Sequence, residues 1–143
     1  MKKIIFIAIA ATFVFCSCAK EKNKEYVEFY ELGIMIQQKD LGKAYWETAD
    51  EMCRSSRVGG FSNWRLPTIG ELAVLNQNRE ILENIEIDYS SYYGKGAYWS
   101  SSVCKYIDYD SYNIYRFKSE DGSAECIPHN YWSCNVRAVR NME

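Results

Sequence analysis

Behind Met1, Lys2 and Lys3 stand twelve residues without a charge, Ile4 to Phe15. This run constrains everything downstream, because it sets the compartment in which the chain folds. It is too short to cross a bilayer as a helix, which takes about 20 apolar residues. A positive start followed by a short apolar run is the pattern of a secretory signal. A buried core helix is the competing reading, and the position behind two lysines argues against it. A chain of this kind folds outside the cytoplasm, where cysteines oxidise.

The apolar run ends in Phe15-Cys16-Ser17-Cys18. This resembles a bacterial lipobox, in which an apolar residue and two small ones precede the cysteine that is acylated after cleavage. Phe15 stands where Leu is commoner. The resemblance implies a lipoprotein signal peptide over 1–17, lipidation at Cys18 and a membrane partnership through that anchor. Several acyl chains hold far more firmly than one, which binds only marginally. Lys20, Glu21, Lys22, Lys24, Glu25 and Glu28 follow closely. A segment so charged cannot bury a core, so 18–28 is expected to be a lipidated tether. Lysines and acids directly after the lipid cysteine also resemble lipoprotein export signals of some Gram-negative bacteria. The implied location is the outer membrane, lipid-anchored and at the cell surface.

Residues 29–143 are long enough for one domain with a real core. Of 17 Lys+Arg, loss of Lys2 and Lys3 leaves 15 against 19 Asp+Glu, a net charge of −4. No basic patch is evident, so no nucleic-acid partner is expected. Beyond the lipobox stand Cys53, Cys104, Cys126 and Cys134. Four cysteines in an exported domain imply two disulfides, with three possible pairings. Zinc is the alternative, but there is no Cys-x-x-Cys pair and His129 is the only histidine.

Residues 26–37, rich in β-branched and aromatic types, read as one strand. A helix is expected from Gly42, with Tyr45, Ala49, Met52 and Cys53 on its buried face and Glu47, Asp50 and Glu51 outside. Residues 54–63 read as a loop broken at Gly59-Gly60. Thr68 and Glu71 then form a capping box, and Ile69, Leu72 and Leu75 make an apolar stripe behind it. Another helical turn is expected over 79–85. Between Asp88 and Tyr115 lie eight of the twelve tyrosines, interleaved with serine and glycine. Strands are expected at 97–103, 112–119, 124–127 and 134–140, with a hairpin turn at Asp121-Gly122. The order gives an α+β fold with an antiparallel sheet.

Met35 to Cys53, then Val58 to Leu72 (VGGFSNWRLPTIGEL), then YWSSS at 98–102 and NVRAVR at 135–140 resemble one bacterial family. It is the Lcl C-terminal-like family, named for the C-terminal domain of a collagen-like adhesin. The resemblance covers about residues 33–140. It implies a C-type-lectin-like fold: two helices on a twisted antiparallel sheet, long loops and two disulfides, Cys53–Cys134 and Cys104–Cys126. The motif residues Trp64, Arg65, Leu66, Pro67, Thr68, Glu71, Trp99, Arg137 and Arg140 read as scaffold, with Trp64 and Leu66 buried and Arg65 on a carboxylate or carbonyls.

No catalytic residue, metal ligand or cofactor site is expected. His129 lacks a nucleophile signature to serve. Asp108-Tyr109-Asp110 looks faintly like a calcium loop without its glycine and closing glutamate. The formylglycine-generating oxidases resemble this chain in an Arg-Leu-Pro-Thr helix start, yet Cys126 and Cys134 are better explained as disulfide partners. The positive signal is the tyrosine, serine and glycine stretch, the chemistry of antibody paratopes. Tyr98 and Tyr115, inside strands, are expected in the core. Tyr92, Tyr93, Tyr106 and Tyr109, in expected loops, are the candidate ligand-binding residues. The expectation is a non-catalytic surface module that binds a glycan or an extracellular protein; the alternative is a structural subunit of an envelope assembly. Replacing Cys18 with alanine is expected to abolish metabolic labelling by an acyl analogue and release the protein from membranes. Equal labelling of the variant would refute lipidation there.

Overall fold

A computed structural model describes residues 24–85, 96–106, 109–116 and 122–143. The lipobox, Cys18 and most of the tether lie outside them. Chain order is β1 (Tyr26–Phe29), β2 (Ile34–Gln37), β3 (Gly42–Ala44), α1 (Trp46–Ser55), α2 (Ile69–Gln77), β4 (Ala97–Tyr106), β5 (Tyr109–Arg116), β6 (Ser123–Pro128), β7 (Cys134–Val136) and β8 (Val139–Asn141). Short 3-10 turns occupy Val58–Gly60 and Arg79–Ile81. The strands form a three-stranded sheet, β1-β2-β8, and a five-stranded sheet, β3-β7-β4-β5-β6.

Several local expectations are corrected. Residues 26–37 are a hairpin, not one strand, because the Leu32 and Gly33 amides turn back onto the Phe29 and Tyr30 carbonyls, each at 3.2 Å. Gly33, at φ +63°, supplies the left-handed turn position. Its first strand takes in Tyr26 to Glu28, residues assigned to the tether. Gly42 opens a strand, because residues 42–44 pair with β7; α1 begins only at Trp46. Tyr45 is therefore the N-cap and 52% exposed, off the buried face, whereas Ala49 and Cys53 are fully buried. Residues 134–140 divide between two sheets, and the sheets are not purely antiparallel, since β4 and β7 run parallel at Tyr98 and Asn135.

The α2 start is built from its own sequence. The Glu71 amide donates to Thr68 Oγ1 at 3.2 Å, and the Thr68 amide donates to the Glu71 carboxylate at 2.8 Å. Arg65 grips the same carboxylate with two bonds, 2.9 and 2.8 Å. Burial alone would raise the Glu71 carboxyl; Arg65 and the Thr68 amide overcome it and hold the group below its ordinary range. The serines after Trp99 form an irregularity in β4, where pairing with β5 shifts between Trp99 and Val103. Their polar groups dock the flanking elements. The Ser101 amide donates to the Pro67 carbonyl at 2.8 Å, Ser102 Oγ accepts the Ile69 amide at 2.9 Å, and the Ser100 carbonyl accepts Trp46 Nε1 at 2.9 Å.

The five-stranded sheet lies between two cores. Trp99 and Ile114 join Ala49, Cys53, Trp64 and Leu66 on the α1 side. Tyr98 and Tyr115 join Leu72, Leu75, Ile36 and Val139 on the α2 side. Alternation along β4 and β5 makes this division, since successive side chains point to opposite faces. Each such large side chain contributes roughly 1.5–3 kcal/mol on burial.

Arg137 sits where the chain leaves β7 for β8. Its side chain is 1% exposed, and Nε reaches Asp40 Oδ1 at 2.6 Å. The other nitrogens donate to the Gln37, Gln38 and Glu83 carbonyls, and Tyr98 donates to Asp40 Oδ2 at 2.9 Å. Asp40 answers the charge and the carbonyls satisfy the remaining donors, the conditions for burying a cation.

One disulfide is present among the described residues, Cys104–Cys126, joining the strands that flank β5. With its ends 22 positions apart in sequence, loop-closure entropy assigns it about 3.4 kcal/mol. The expected Cys53–Cys134 bridge is corrected: both residues carry thiols and are completely buried in the α1-side core. They pack there as small apolar side chains. Burial, helped by Asp50, pushes the Cys53 thiol up to about 12, so it stays protonated and unreactive at neutral pH.

Two outcomes follow. Arg137→Ala is expected to cost about 3–5 kcal/mol, since it strands Asp40 beside buried carbonyls; a urea midpoint equal to wild type would contradict the assignment. In peptide maps made without reduction, Cys104 and Cys126 are expected to be linked, while Cys53 and Cys134 are alkylated only after unfolding. A linked Cys53–Cys134 peptide would show that the core is oxidised instead.

Candidate functional site

The hairpin β4–β5 is the longest ribbon of the fold and carries the disulfide to β6. Its α1-side face bears Val103 directly opposite Tyr112. Val103 is 73% exposed. Trp46, the first residue of α1, stacks on the Tyr112 ring with centroids 3.7 Å apart and planes 8° from parallel. The hydrogen bond from its indole to Ser100 holds it in place.

This stack continues into a second segment. The Ala44–Cys134 pairing sets the start of α1 against the connection between β6 and β7. There the Trp46 amide donates to the His129 carbonyl at 3.1 Å, and His129 Nε2 lies 3.2 Å from Glu47. The turn closes when the Tyr131 amide bonds the Pro128 carbonyl at 3.1 Å. Tyr131 is 62% exposed and its ring leans on Trp132 at 5.4 Å, while Trp132 packs into the core. The Val103, Tyr112 and Trp46 group and the Tyr131–Trp132 pair thus stand on segments tied by the Trp46–His129 backbone bond, an aromatic strip bordered by the exposed Tyr45 and Glu47. Its rings are backed by core packing and hydrogen bonds.

The residues singled out from sequence divide. Tyr92 and Tyr93 lie outside the described residues. Tyr106 and Tyr109 face each other as the last backbone pair of β4 and β5, so the loop expected to hold them is largely ladder. Tyr98 and Tyr115 are core residues. The motif residues are scaffold: Trp64, Leu66, Pro67 and Trp99 are buried, and Arg65 and Glu71 are half-buried partners. Thr68 caps α2. Arg140 is buried with its guanidinium 4.4 Å from the Phe61 ring and 3.1 Å from Glu143. Trp46, Tyr131 and Trp132 were not singled out. The adjacent Tyr131-Trp132 pair in a short segment between Pro128 and Cys134 was the available signal.

A cleft of ≈ 360 Å³ opens beside the Arg137 network, lined by Gln37, Gln38, Lys39, Asp40, Val58 and Glu83. Most of its polar groups already serve the fold. Gln37 donates to Ser56 at 2.6 Å, Gln38 accepts the Glu83 amide at 3.0 Å, and Asp40 holds Arg137. Among the described residues, no three His, Cys, Asp or Glu side chains converge as a metal would need.

No curated protein and no solved structure matches the chain. One family does: the Lcl C-terminal domain family matches residues 16–140, nearly the full length, and takes in the motif scaffold, the disulfide and the aromatic strip. On that match the chain belongs to the Lcl C-terminal domain family.

Proposed function

We propose that this protein is a lipid-anchored surface protein of a Gram-negative bacterium whose C-type-lectin-like domain binds a glycan or an extracellular protein without catalysing a reaction. The apolar run before Cys18 supports the anchor. Support for the fold reading comes from the pairing of β2 with β8, which brings the two ends of the domain into one sheet beside two helices. The family's tie to a collagen-like adhesin is compatible with adhesion. The observation that carries the binding reading is the aromatic strip, because rigid, partly exposed rings with a polar border supply contact area at low entropic cost.

The test is an array of glycans and extracellular-matrix proteins probed with the full-length lipoprotein in detergent micelles. Binding to at least one component is expected. Truncating an aromatic anchor commonly costs about 2 kcal/mol, roughly thirtyfold in affinity. Tyr131→Ala should therefore weaken binding by that order while the melting temperature stays nearly unchanged. Absence of binding to every component above the micelle background would end the adhesion reading.

A further inference from the structure

The strip's surroundings narrow the ligand class. This step rests on the binding reading just given and deepens it. Three features lie together at the N-terminal end of α1. Tyr45 and Tyr131 are 52% and 62% exposed, on the two segments joined by the Trp46–His129 backbone bond. Next to Tyr45 in the chain, Trp46 stacks on Tyr112 and bonds the Ser100 carbonyl, which fixes this end of α1. Beside them the carboxylates of α1 face outward: the Glu47 side chain is 62% exposed, with one oxygen 3.2 Å from His129 Nε2, and Glu51 is exposed. The only basic residue in the last turn of α1 is Arg54, already paired with Asp50 at 2.6 Å.

We infer that this strip is a binding site for uncharged polysaccharide, with sugar rings stacked on Tyr131 and Tyr45 and hydroxyl groups donating to the Glu47 carboxylate. An aromatic face is electron-rich, so it attracts the weakly positive C–H face of a pyranose ring. A carboxylate accepts hydroxyl hydrogen bonds more strongly than a neutral acceptor does. The same carboxylates repel sulfated or uronic-acid polymers, and the net charge of −2 for the whole chain points the same way. Stacking between neutral groups does not depend on ionic strength, whereas capture of a polyanion would be screened by salt.

The test incubates the full-length lipoprotein in detergent with chitin beads, microcrystalline cellulose and heparin–agarose, each at 0.1 M and 1 M sodium chloride. Retention is expected on chitin or cellulose at both salt concentrations, and none on heparin. Tyr131→Ala and Tyr131→Leu should each weaken retention about tenfold or more, the second because it keeps apolar bulk and loses the ring. Tyr30→Ala should leave retention unchanged, since Tyr30 is 75% exposed but stands on the β1–β2 turn of the three-stranded sheet, not on the strands and turn that carry the strip. Salt-sensitive binding to heparin alone, or equal loss in Tyr30→Ala and Tyr131→Ala, would overturn the inference. If only matrix proteins on the array bind, the uncharged-glycan assignment falls and adhesion stands. If neither beads nor array bind, both fall.

Discussion

Arg137 donates to four acceptors from a position where water scarcely reaches, and the acceptors come from two separate stretches of chain. A guanidinium buried this deeply is tolerable only while its partners stay in place. That requirement holds the 37–40 segment and the Glu83 carbonyl, and through Asp40 it reaches Tyr98 in the central sheet. It also marks the step at which the chain passes from the five-stranded to the three-stranded sheet. The ion pair is better understood as specifying this crossover than as adding stability, because a buried pair recovers in attraction about what it loses in hydration.

From that crossover the rest of the architecture follows outward. The central sheet is covered on both faces, so Tyr98 and Trp99, neighbours in sequence, serve different cores. The three serines after Trp99 would be out of place in a regular strand. Here the shift in pairing lets their backbone and hydroxyl groups receive the start of α2 on one side and the Trp46 indole on the other. Trp46 thereby links the buried sheet to the surface strip. Rings mounted on such contacts are pre-organised, which would lower the ordering cost of the proposed association.

Features whose causes are local were readable. The α2 start is one, since Thr68 and Glu71 satisfy each other's amides within four residues. Tyr98 and Tyr115 were also correctly placed inside, because strand alternation assigns them a face. The first hairpin was misread because YVEFYELGIMIQ is uniformly strand-like in composition, and Gly33 was the single hint of a turn. Gly42 was misread for the opposite reason. Its conformation is set by pairing with Val136, ninety-odd residues away in sequence. The resemblance pointed to a Cys53–Cys134 bridge, and packing in the α1-side core leaves both as thiols.

By itself the sequence determined the α+β class, the helix cap, the inward faces of the central strands and the family, because caps, periodicity and motifs are written in neighbouring residues. Only the tertiary structure decided that the last strands serve different sheets, that a bridge joins β4 to β6, and that the segment carrying Tyr131 and Trp132 is bonded to the start of α1, where Trp46 stacks on Tyr112. Those outcomes rest on contacts such as Ala44 with Cys134 and Trp46 with His129. Their partners are separated by more than eighty residues, so no local pattern encodes them, and they exist only once the chain has folded.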